Sequence, residues 1–323
     1  MTRYLAGRVL SLIFVMLLVS MITFALMHSV PGGPFDEEDS PLPPAAKANI
    51  LAKYGLDKPI HIQYLNYMKN VVLHFDFGIP FQQPNTTVTA LIAKSWRVTL
   101  QVGVMTVLVS FGVGITLGVL AAYRQNSWID TSTTFVAMMG ITTPNFVVSM
   151  WLILIFAVQY KFLPMGGWNS SGNCLIGDEF ICTDWIMPVI AYSLAPLAIV
   201  ARYTRSSIVD VMRQDYARTA KAKGLNDQTV MFRHVMRNAL IPMITALGVI
   251  IPNLLTGSIF IEAVFRINGL GKYFVTSIFS RDYPMIMALF LLIALLWSLT
   301  YLITDLLYTW ADPRIRLGAK GAS

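Results

Sequence analysis

Side chains able to do chemistry are few and scattered along these 323 residues. The four histidines, His28, His61, His74 and His234, have no near His or Cys partner, so no metal-ligand spacing emerges. No H-E-x-x-H and no G-x-S-x-G elbow occurs, which argues against the hydrolases those motifs mark. Residues 269–272 read "GLGK", but a phosphate loop needs Gly at 266 and Ser or Thr at 273, where the chain has Arg266 and Tyr273. Cys174 and Cys182, in "CLIGDEFIC", could close a small disulfide loop in an oxidising compartment or stay as two unpaired thiols. The densest concentration of functional groups is residues 214–242, "QDYARTAKAKGLNDQTVMFRHVMRNALIP", basic and helix-prone.

That island interrupts a chain that is 55% hydrophobic and only 13% charged, with mean hydropathy +0.61. Such a balance belongs in a membrane. Six windows approach or exceed the ~20 residues that carry a helix across a ~30 Å hydrocarbon core. They are 9–30, 98–122, 131–158, 185–201, 239–261 and 284–304, and none contains Asp, Glu, Lys or Arg. Continuous apolarity over such lengths excludes barrel strands, which alternate over ~10 residues. The fold class is therefore an all-α membrane protein with six transmembrane helices. The first window follows Arg3 and Arg8 as a signal peptide would, but it is too long for that and is read as a retained span.

Orientation follows the basic residues. With the amino terminus inside, segments 1–8, 123–130, 202–238 and 311–323 hold two, one, eight and three Lys or Arg. Both termini are then cytoplasmic. The high pI reflects this topology, and no nucleic acid partner is expected.

The span interiors carry two polar breaks. Thr143, Pro144 and Asn145 sit mid-window, where the proline removes a backbone hydrogen bond and predicts a kink. Asn253, Thr256 and Ser258 accompany a second break at 251–258. Either break could line a pathway for a polar solute, or serve only bundle packing. Between the first two spans, "AAKANILAKYG" and "PIHIQYLNYMKNVVLHF" predict two short helices, forming a small extracytoplasmic cap.

Within the island, Ala217, Ala220 and Gly224 are spaced to form one small-residue stripe, and Gly224 is placed to cap the helix. Asn226 or Asp227 can start a second short helix carrying Val230, Met231, Phe232 and Val235, before re-entry at 238–242. Water-facing apolar residues on that helix predict a partner with a groove.

"DYARTAKAKGL" resembles the cytoplasmic loop signature of bacterial ABC importer permeases, in its oligopeptide and dipeptide branch. "PGGPF", "TTPNFVV", "LPMGGWN", "RNALIP", "NGLGKYF", "RDYP" and "DLLYTWADPRIR" match in the same order, so the likeness covers nearly the whole chain. The general signature often begins Glu-Ala-Ala, whereas this chain has Arg218, Thr219 and Ala220, as the peptide branch does. The resemblance implies a type I ABC importer fold in the bacterial inner membrane. It implies residues 1–97 as a first helix plus extracytoplasmic segment, 98–310 as the five-helix core and 311–323 as a cytoplasmic tail. The implied partners are a second permease subunit, two cytoplasmic ATPase subunits that bind ATP and Mg, and an extracytoplasmic peptide-binding protein. This chain itself would hold no cofactor and perform no catalysis. Ala217, Ala220, Gly224 and Leu225 fall in the signature, with the coupling helix at about 226–234. Related permeases carry glutathione, nickel or oligosaccharides, which leaves the solute open. An ion-coupled carrier is disfavoured because the windows lack ionisable groups apart from His28.

Overall fold

The computed structural model describes residues 2–35, 44–168, 174–176 and 181–311. Among the described residues, five helices are long and apolar enough to cross a membrane, and a bent pair makes a sixth candidate. α1 (Thr2–Ser29) is followed by two short helices, α2 (Pro44–Tyr54) and α3 (Ile60–His74), at the expected places. Pro59 stands just before α3 as its cap rather than inside its first turn. α4 (Val88–Tyr123) runs 36 residues, about 54 Å at 1.5 Å per residue. It begins ten residues before its apolar window, where Thr87 accepts a hydrogen bond from the Ala90 amide at 3.2 Å.

The third window does not form one rod. α5 (Trp128–Thr142) and α6 (Asn145–Leu152), the latter extended as a π-helix over Ile153–Gln159, meet at 101°. Thr143 is extended, as the residue before a proline prefers, and Pro144 has no amide to continue the ladder. The predicted kink is thus a right-angled break. A short antiparallel pair, β1 (Cys174–Ile176) and β2 (Ile181–Cys182), places Cys174 opposite Cys182 in register. The cysteine side chains, and with them the disulfide, lie outside the described residues.

α7 (Ile186–Met212) outruns its window by eleven residues, so the island between spans begins only at Arg213. Next come α8 (Asp215–Ala222) and α9 (Asp227–Thr229), which passes through a π-helical turn, Val230–Val235, into α10 (Met236–Leu255). After the second break stand α11 (Ile259–Val264), α12 (Leu270–Phe279) and α13 (Tyr283–Ala311).

α7 is the central rod: 61% of its most apolar window is buried, against 11% for α1. Its neighbours α4, α10 and α11 close the main core around Val102, Ala191, Val200, Ile250, Leu254 and Phe265. Glycine makes the tightest seam possible. A Cβ at position 114 would stand 2.9 Å from the Leu197 carbonyl oxygen, and one at 118 would stand 2.6 Å from that of Ala201. In lipid, where apolar surface gains little by leaving apolar solvent, such close backbone approach supplies association energy through dispersion. α1 and α13 pack antiparallel, with Arg8 paired to Asp305 at one end and Phe24 and Met27 against Ile286 and Met287 at the other.

Candidate functional site

The island folds as a compact turn at the basic end of the bundle. Ala217 and Ala220 are buried under a small core formed by Ala122, Ile208, Val230, Met231 and Val235. Their spacing of three puts both on the inner face of α8, while Arg218, Lys221 and Lys223 stay in solvent. Gly224 does not continue that stripe. It lies past the helix end at φ +80, and a Cβ there would meet nothing within 4 Å.

What Gly224 supplies is a left-handed backbone. Its amide donates to Lys221 O at 2.9 Å, and the Leu225 amide donates to Ala220 O at 3.4 Å. These are the two bonds of a Schellman stop, which satisfies carbonyls that the helix end would otherwise leave unpaired. The next helix starts at once: Asn226 Oδ1 accepts from the Thr229 amide at 2.8 Å. Lys221 Nζ and Asp227 Oδ1, 3.1 Å apart, bridge the turn from outside.

Two expectations about the second helix are corrected. It is not a separate short helix, because residues 227–255 are helical throughout, with the π turn absorbing one extra residue. Val230 and Met231 do not face water either; they are 2% and 4% exposed, turned onto α7 and α8. Phe232 alone of the three projects, at 69% exposure, beside the partly exposed Leu225.

An ion pair, buried on its Asp130 side, fixes the start of α5 to α7. Arg205 Nη2 donates to Asp130 Oδ2 at 2.7 Å, Arg205 Nε donates to Oδ1, and the Asn126 amide also donates to Oδ2 at 2.9 Å. The bidentate fork and the extra amide satisfy a carboxylate that is 4% exposed. Composition had marked Arg205 only as a topology anchor.

The two polar breaks are brought together. α6 packs on α11, and the Phe146 and Phe260 rings stand 5.9 Å apart, one beside each break. Thr143 and Asn145 are half-buried and Pro144 is exposed. On the other side, Asn253 Nδ2 donates to Val249 O at 3.2 Å, Thr256 Oγ1 donates to Asn253 O at 3.1 Å, and Ser258 Oγ caps α11 by accepting from the Ile261 amide at 3.4 Å. These polar groups therefore satisfy their own chain. Gly257, at φ +89, is the left-handed residue that separates α10 from α11.

Beyond that break lies a residue whose role the sequence did not disclose. Glu262, 3% exposed, accepts from Thr99 Oγ1 at 2.9 Å and from the Gly271 amide at 2.6 Å. The Leu270 amide completes the clasp by donating to Thr99 Oγ1 at 2.9 Å. The amino end of α12, where "GLGK" lies, thus holds the chain's own Glu262 carboxyl group against its first amides. Gly269 and Gly271 leave it room: a Cβ at either would come within 2.8 Å of the carboxylate. An acid followed seven residues later by Gly-Leu-Gly is the one sequence signal for it.

Comparison with known proteins agrees with this architecture. Residues 114–317 match the family described as binding-protein-dependent transport system inner membrane component, and residues 1–113 match its amino-terminal counterpart. The chain is 39% identical over 321 residues to the dipeptide transport system permease protein DppB of Bacillus subtilis, covering 99% of this chain and all of that one. It is 38% identical over 316 residues to the oligopeptide transport system permease protein OppB of Salmonella typhimurium, covering 98% of this chain and all of that one. The inward-facing MetNI methionine ABC transporter superposes with a TM-score of 0.54 at 15% identity, over 69% of this chain and 97% of its own, a likeness of fold. With both segments matched and full-length relatives well above 30% identity, the chain belongs to the family of binding-protein-dependent transport system inner membrane components.

Proposed function

We propose that this chain is a permease subunit of an ATP-driven importer, forming half of the pathway for oligopeptides or dipeptides delivered by an extracytoplasmic binding protein. The names of its full-length relatives, DppB and OppB, support the substrate class. The observation that carries the mechanism is the stiff, Schellman-stopped turn with Phe232 projecting from it. Two ATPase subunits would bind ATP and Mg, one of them docking on the coupling helix at about 226–234 of this chain, and a second permease would complete the pathway. Both termini are read as cytoplasmic, at the end of the bundle where Arg8 meets Asp305.

Coupling on this reading is mechanical. Closure of the ATPase pair displaces the turn. Ala217, Ala220, Val230 and Met231 interlock α8 with the following helix, so the turn moves as one body. That helix runs unbroken to Leu255 and ends at Gly257, beside the α6–α11 contact. A push at the turn is thereby delivered to the two breaks, where Thr143, Pro144, Asn145, Asn253, Thr256 and Ser258 are read as the pathway's movable section.

The test is uptake by the reconstituted complex, with and without its binding protein, using peptides of graded length. Binding-protein-dependent accumulation of peptide is expected. Failure with every peptide, and success with a metal chelate or a sugar, would overturn the substrate class and leave the coupling mechanism standing.

A further inference from the structure

Two adjoining cavities flank the α1–α13 contact, one between those two helices and one walled also by α2, α3 and residues 77–81. The first is a largely apolar groove of about 350 Å³, lined by Val19, Ile22, Leu26, Met27, Ile286 and Phe290, with Thr23 its one polar residue. It runs about 12 Å along α1, at 1.5 Å per residue, and lies within the apolar window of that helix, so its surroundings are hydrocarbon. The second is a cavity of about 210 Å³ at the carboxyl end of α1, sharing Met27 with the groove. Its character is different. The rings of Phe24 and His28 stack at 4.2 Å, His28 and Tyr283 stand 5.0 Å apart, and Tyr54 and Phe81 stand 4.8 Å apart. Asn66, Asn70 and Tyr67 supply polar edges, and no Asp, Glu, Lys or Arg lines it among the described residues. The Tyr67 hydroxyl is buried without a hydrogen-bond partner among the described residues.

A buried hydroxyl without a partner is costly, and an aromatic box without cations favours a positive guest. Asp76, which acts electrostatically on Tyr67, adds a negative charge nearby. An apolar trough that opens at the membrane boundary into an aromatic, hydrogen-bonding chamber has the two-part chemistry of a lipid. We propose that groove and chamber together hold one phospholipid, its acyl chain along α1 and α13 and its ammonium-bearing head among the rings, with Tyr67 donating to the head. The site rests on α1 and α13 crossing the membrane, and stands or falls separately from peptide import.

The test uses the purified complex, stripped of lipid and offered phosphatidylethanolamine or phosphatidylglycerol of identical acyl chains, each with a diazirine in one chain. Photolabel from phosphatidylethanolamine is expected on 19–27 and 286–290, in preference to phosphatidylglycerol. Leu26 is exposed, so Leu26→Trp fills the groove without disturbing the core and should abolish that label. Tyr67→Phe should lower retention about fivefold, the loss of one neutral hydrogen bond. ATP hydrolysis by both variants confirms that they fold. Label spread evenly over α1, equal retention of the two lipids, unchanged retention in Tyr67→Phe, or displacement of the label by free peptide would each overturn the site.

Discussion

A Cβ at position 118 would stand 2.6 Å from both the Ala201 carbonyl oxygen and Thr204 Cβ; at position 224 it would meet nothing within 4 Å. Gly118 is ordinary helix in the α4–α7 seam, and what it provides is the absence of a side chain. Gly224 faces open space, and what it provides is φ +80. The first position senses volume and the second senses backbone shape. Assembly should therefore fail at the seam, and transmission of motion should fail at the turn.

The largest effect is expected from Gly118→Leu. Overpacking costs about 1–3 kcal/mol where a core can shift, and here the obstruction is backbone, so the α4–α7 pair should not form. Size-exclusion of the purified chain should show aggregate or nothing; a monodisperse protein would remove the seam's importance. Next is Gly224→Val, strained by about 1–2 kcal/mol in a left-handed position. Membrane insertion should persist while uptake and stimulated ATP hydrolysis drop, and Gly224→Asn, which tolerates that conformation, should recover most of both. Equal behaviour of Val and Asn would mean that side-chain volume, not backbone shape, matters at the turn.

Phe232→Ala should leave the fold within about 0.5 kcal/mol, because exposed sites rarely matter to stability. Its predicted effect is on association with the ATPase subunit, a loss above about 1 kcal/mol if Phe232 anchors the interface. Co-purification of the two subunits reads it directly. The smallest effect belongs to Lys221→Ala. Both partners of its ion pair are at least half exposed, so thermal stability should change by less than about 0.5 kcal/mol, and a larger shift would show that the bridge, rather than the Schellman stop, holds the turn.

Much of this was legible beforehand because the signals were local. A charge-free apolar window, a proline inside it and a glycine after an alanine-rich helix each act through the residue's own backbone or its own solvation. The bend at Pro144, the Gly224 cap and the Asn226 start followed from such residues. The misreadings have two causes. Val230 and Met231 looked like a partner-facing surface because apolarity on a short loop helix does not say which apolar face is already covered. The unbroken run from Asp227 to Leu255 was hidden because a π turn leaves no signature in composition.

The basic residues divide along the same line. Eight Lys or Arg in 202–238 set a topology as a sum, without regard to position. Only the fold singled out Arg205, by carrying Asp130 across from another helix. Glu262 was passed over for the same reason: its partners, Thr99 and the amide of Gly271, lie 163 and nine residues away.

The sequence by itself determined that this chain is helical, that it crosses a membrane, that its third and fifth apolar windows are broken, and that one basic segment stops and restarts a helix within a few residues. Those outcomes depend on local transfer energies and local dihedral preferences, which each residue carries with it. The tertiary structure alone decided that Phe232 is left outside while Val230 and Met231 are buried, that the two polar breaks face one another through Phe146 and Phe260, and that a carboxylate occupies the end of α12. Those are relations between distant segments, fixed only when α7 draws α4, α10 and α11 into contact, and no single window of the chain contains them.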